Sequence, residues 1–144
     1  MDYKYQHQHK AEAILITCID FRFHQATIQY VSEELGLKDF DLLTVPGVAK
    51  NLAEGNVSGK EIIRIIKEVS RPLHQIKKIV VMNHWDCGGY GGSKSFASEK
   101  DEEEKYKSDL QKAKTILNKE FSELETIIGY SKVKNDQLVF KMIE

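Results

Sequence analysis

Two short runs, Ala13-Ile14-Leu15-Ile16-Thr17 and Ile79-Val80-Val81-Met82, hold only apolar residues and one threonine. A strand with one wet face alternates apolar and polar side chains. An unbroken, largely β-branched apolar run therefore demands burial on both faces. Such strands belong to parallel sheets covered by helices, and parallel neighbours need long crossover connections. The intervening sequence supplies them. A helix is predicted over about Gln25 to Leu35, closed by Gly36. A second strand, Leu42 to Val45, ends at Pro46-Gly47. Ser58-Gly59-Lys60-Glu61 fits the capping box that opens a helix. That helix carries Ile62, Ile63, Ile65, Ile66 and Val69 on one face, and Arg71-Pro72 is expected to break it.

After the third strand comes the loop Asn83 to Gly92, with 4 glycines. The charged stretch Glu99 to Lys107 runs into apolar residues spaced by three and four: Tyr106, Leu110, Ala113, Leu117, Phe121 and Leu124. One long amphipathic helix follows from that spacing. Thr126 to Val133 and Gln137 to Met142 read as strands of a hairpin turning at Asn135-Asp136. The expected fold is a single α/β domain over residues 11–144. Its central sheet is mostly parallel, four- or five-stranded and flanked by helices, with a C-terminal hairpin. Residues 1–10 are polar and expected to be flexible, so His7 and His9 read as part of a mobile terminus rather than a metal-binding face.

A chain of 144 residues suits one domain with a single core. The formal net charge of -1 gives no electrostatic reason to bind nucleic acid. No apolar run approaches the roughly 18 residues that span a bilayer. The polar N-terminus lacks the apolar stretch of a signal peptide, so a reducing cytoplasm is the expected setting. In that setting the 2 cysteines are expected to be thiols or metal ligands rather than a disulfide. They are too few for the roughly four thiolates of a common iron–sulfur cluster.

The reactive residues stand just past strands. Cys18 follows the first; His84 and Cys87 follow the third. Right-handed crossovers put the second strand outside the first and the third on its other side. The first and third strands then flank a switch point, and sites form there at the strands' carboxyl ends. Two thiolates and an imidazole suit Zn²⁺, and three protein ligands leave the open position of a catalytic site. Gly88 and Gly89 would let the backbone fold close to the metal. Asp20 is expected either to fill the fourth position or to pair with Arg22 and accept a hydrogen bond from zinc-bound water. Zinc brings the pKa of that water to about 7.

Cys18-Ile19-Asp20-Phe21-Arg22 followed by His84-Trp85-Asp86-Cys87-Gly88 resembles the paired signature of the β-class carbonic anhydrases. The resemblance implies a mostly parallel sheet, zinc on Cys18, His84 and Cys87, and an Asp20–Arg22 dyad. It also implies reversible hydration of carbon dioxide to bicarbonate by metal-bound hydroxide, with Asp20 orienting the nucleophile or gating the metal. The family's Arg-Asn-Ala-Gly-type segment is replaced here by Val45-Pro46-Gly47-Val48-Ala49. Three alternatives stand beside this reading: hydrolysis of a linear relative such as carbon disulfide or carbonyl sulfide, a non-catalytic zinc site closed by Asp20, and a plain α/β interaction domain without metal. Trp85 reads as a packing residue, and Asp86 as a weak candidate to support a ligand. His24 reads as an exposed helix-start histidine rather than a proton shuttle. Lys50 and Lys60 lack the spacing of a phosphate loop. Open sheet edges and apolar helix faces argue for a homodimer or higher homo-oligomer.

Overall fold

The structure, a computed structural model, describes all residues from Met1 to Glu144. Its strands are β1 (Ala13–Thr17), β2 (Phe40–Thr44), β3 (Lys78–His84), β4 (Glu125–Lys134) and β5 (Gln137–Ile143). Its helices are α1 (His24–Glu33), α2 (Ala49–Glu54), α3 (Val57–Ile65), α4 (Arg71–His74) and α5 (Glu99–Glu120). The five strands form one sheet in the order β2-β1-β3-β4-β5. The first four are parallel, and β5 returns antiparallel to β4. The crossover argument is met: β1 and β3 are neighbours, and β2 lies outside β1.

The two apolar runs are buried on both faces, as their composition requires. Ile14, Ile16, Ile79 and Val81 point to one side, where Leu52 of α2, Ile62 of α3 and Leu110 and Leu117 of α5 cover them. Ala13, Leu15, Val80 and Met82 point to the other, against Val31 of α1 and Leu37. Each fully buried Val, Leu, Ile or Met among them contributes roughly 1.5–3 kcal/mol before entropy is counted. Alternation within one run thus feeds two cores.

Several boundaries differ from the sequence expectation. Ser58 does not cap α3; Asn56 does, its side chain accepting the Gly59 N–H at 2.9 Å. The reason is α2, a helix too short to show periodicity, which ends at left-handed Gly55 and leaves Asn56 as the first extended residue. Pro72 does not break the helical run. The ladder widens over Ile66–Ser70, and Pro72 then sits in the first turn of α4. The missing proline N–H falls where the widened turn needs no partner for it. Helix α5 stops at Glu120, so Phe121 and Leu124 are core residues beyond its end. The hairpin turns where expected, with Asn135 and Asp136 both left-handed, as a tight two-residue turn requires. No helix is long and apolar enough to cross a membrane.

Candidate metal centre

The carboxyl ends of β1 and β3 deliver the site. Thr17 pairs with Met82 in register, so Cys18 emerges beside the end of β3, which closes with His84. The loop after His84 brings Cys87 back. Cys18 Sγ, Cys87 Sγ and a ring nitrogen of His84 all lie within 4.8 Å of one another, and all three residues are buried. The two sulfurs are 4.0 Å apart.

His84 is held as a ligand would be. Its Nδ1 lies 2.7 Å from the Trp85 carbonyl. A carbonyl only accepts, so Nδ1 carries the proton and Nε2 presents a lone pair. Nε2 is buried and has no hydrogen-bond partner. The Phe23 ring stacks on the imidazole at 4.2 Å between centroids and fixes its plane. An orphaned acceptor in a core costs stability unless something occupies it. Two nearby sulfurs and a free imidazole nitrogen make a donor set that could hold a metal ion.

The sulfurs share one proton's worth of compromise. Cys18 is pulled well below the usual thiol range, first by the Cys87 S–H and then by the Asp20 backbone N–H, against the opposing cost of burial. Cys87 is pushed up, first by its neighbour's thiolate and then by burial, while the N–H groups of Gly89 and Gly47 pull it back. The asymmetry belongs to the pair. Two thiolates this close repel, and a bound cation removes that repulsion.

The alternate positions Cys18, Asp20 and Arg22 lead from this cluster to solvent. Asp20 accepts the Arg22 backbone N–H at 2.9 Å, Nε at 3.1 Å and Nη2 at 2.7 Å. The Arg22 fork is the largest reason that the Asp20 carboxyl falls to about 2, and the same pairing raises Arg22. Asp20 Oδ2 stays 4.0 Å from His84 Nε2. Beside Cys18 an open cleft of about 460 Å³ is bounded by Ile19, Phe21, Pro46 and Gly88.

Asp86 does more than support a ligand from a distance. Its Oδ2 accepts Arg22 Nη1 at 3.1 Å, and its Oδ1 accepts the Ser93 N–H at 2.8 Å. Ser93 first and Arg22 second hold its carboxyl below the usual range. Arg22 is thus clamped between two acids. A Cβ on Gly88 would meet nothing, whereas one on Gly89 would come within 2.5 Å of the Gly47 nitrogen. The close approach at Gly89 is to the Pro46-Gly47 turn. Asn83 ties the same parts together, accepting the Ala49 N–H at 3.1 Å and donating to the Tyr90 hydroxyl at 3.1 Å. Trp85 packs edge-on against Tyr106 at 5.9 Å. Lys50 donates to the Gly89 carbonyl at 3.0 Å. His24 opens α1 and is half-buried rather than fully exposed.

An α/β sheet with two thiols and an imidazole meeting at its switch point defines a candidate metal-binding domain. The chain belongs to the family described as "Putative carbonic anhydrase", whose profile matches residues 8–142. An uncharacterized protein of Rickettsia bellii is 32% identical over 122 residues, covering 81% of this chain and 73% of that protein. An uncharacterized protein of Rickettsia conorii is 33% identical over 122 residues, and the chain covers 64% of its length. No solved structure matches the chain.

Proposed function

We propose that this protein is a zinc enzyme that interconverts carbon dioxide and water with bicarbonate and a proton. Cys18, His84 and Cys87 would hold the ion. Tetrahedral zinc with sulfurs at about 2.3 Å separates two thiolates by about 3.8 Å, and the observed 4.0 Å is close to that. When bound, zinc supplies a Lewis acid that makes a coordinated water acidic near neutral pH. The remaining work falls to the chain. Asp20, kept ionised by Arg22, would accept a hydrogen bond from the water or hydroxide at the fourth position and so set its orientation, without taking up the proton itself. Arg22, held from behind by Asp86, would keep Asp20 engaged in hydrogen bonds rather than free to fill a fourth ligand position. Ile19 and Phe21, both exposed and apolar, give a small apolar substrate a wall to approach along.

One observation carries the reading: a buried, unpartnered imidazole nitrogen beside two thiols, with an arginine-locked carboxylate 4.0 Å away. The multiple bonds between Arg22 and Asp20 support an open site over one closed by Asp20. The reading also includes a reducing cytoplasm, where the free, buried cysteines stay reduced, and a homodimer or higher homo-oligomer. The test is stopped-flow carbon dioxide hydration alongside zinc content. Wild type is expected to carry one zinc per chain and to hydrate carbon dioxide. Asp20→Asn is expected to keep the zinc and lose roughly 10- to 100-fold in rate. Zinc-loaded wild type with no hydration up to about pH 9, well above the roughly neutral pKa of zinc-bound water, would reject the reaction.

A further inference from the structure

The face of α5 turned toward the sheet is not wholly apolar. Glu102, in its first turn, is only 1% exposed. Its hydrogen-bond donors are the Asp86 backbone N–H at 2.8 Å and the Tyr106 hydroxyl at 2.8 Å, both to Oε1. Burying a carboxylate is costly unless donors satisfy it. The start of a helix is the place where such a group is best tolerated. Tyr106, fully buried, in turn accepts the Cys87 N–H at 3.3 Å. One carboxylate oxygen therefore governs two consecutive N–H groups of the loop that carries Cys87: one directly, the other through a phenol. The loop needs such control. Asp86 has φ of 54°, a left-handed conformation that a non-glycine residue holds only when its surroundings impose it. That turn sends the Cys87 sulfur toward Cys18.

We propose that Glu102, acting directly and through Tyr106, is a positioning residue for the metal: it holds the Asp86–Cys87 backbone so that Cys87 Sγ stays in reach of Cys18 and His84. The proposal rests on reading those three side chains as ligands. The role requires an acceptor oxygen and not a charge, which separates it from long-range electrostatics.

Cobalt(II) titration of the metal-free full-length chain reads the site directly, through thiolate-to-cobalt charge-transfer absorption and affinity against a competing chelator. Glu102→Gln keeps an oxygen that can accept both bonds, and it is expected to match wild type in both readouts. Glu102→Leu and Tyr106→Phe are expected to lower cobalt affinity roughly 10- to 100-fold and to weaken the charge-transfer band. Should Glu102→Leu fail to fold, Tyr106→Phe removes a single oxygen and decides the matter. Wild-type affinity and absorption in folded Tyr106→Phe would overturn the proposal, as would a Glu102→Gln variant as weak as the leucine. A wild type that binds no cobalt would overturn the ligand set itself, a separate failure.

Discussion

Arg22 presents a planar fork to two acids at once, Asp20 and Asp86. Lysine offers a point charge and no fork. Arg22→Lys is therefore expected to keep bound zinc and lose roughly 10-fold or more in carbon dioxide hydration, measured on protein of equal metal content. Cys18→Ser is expected to do the opposite, losing the metal itself in a stoichiometry assay. At this scale the sequence was legible where chemistry is local. Cys18, Asp20 and Arg22 alternate past a strand, and their spacing alone announces a thiol, an acid and a base sharing one end of the sheet. Asp86 was not legible as a clamp. Its partners are Arg22, 64 positions away, and Ser93, reached only through a left-handed turn at Asp86 itself. Glu102 looked like one charge in a charge run, and only the packing of α5 reveals that it is buried.

Helix α5 also carries Glu103, which gathers the hairpin. It accepts from the Tyr130 hydroxyl and from Lys141 at 3.2 Å, with Lys107 at 3.5 Å. The Tyr130 bond first, and then Lys141 and Lys107, bring its carboxyl from 4.5 to about 2. A depressed carboxylate stabilises the fold above its unfolded pKa, and the gain is lost as pH falls toward the folded value. Glu103→Gln is expected to cost about 1–2 kcal/mol near neutral pH. In urea melts that difference should shrink as pH falls from about 4.5 toward 2. Where α2 meets α3, a Cβ on Gly59 would come within 2.2 Å of the Asn51 carbonyl oxygen. Gly59→Ala is expected to destabilise by about 1–3 kcal/mol, since backbone cannot yield as a side-chain tip can. Long periodic elements such as α5 and the fully apolar β1 and β3 could be read from sequence because burial on one or two faces writes a repeat. The six residues of α2 write none, and its omission displaced the start of α3.

For the whole molecule, strand order follows from chain connectivity and handedness, which is why the switch point is legible in the sequence. Its consequence is functional: two strands distant in sequence end side by side, and their following residues must share one small volume. The outer edge of β2 is left unpaired within the chain, with Leu42 exposed along it. Light scattering is expected to return at least twice the chain mass, and a monomer at all concentrations would remove the dimer from the proposal. The central claim is narrower: one zinc ion sits on Cys18, His84 and Cys87. Zinc K-edge X-ray absorption on native protein tests it most directly. The expected first shell has two sulfurs at about 2.3 Å and nitrogen or oxygen at about 2.0–2.1 Å. A zinc shell without sulfur, or native protein free of metal, would contradict it.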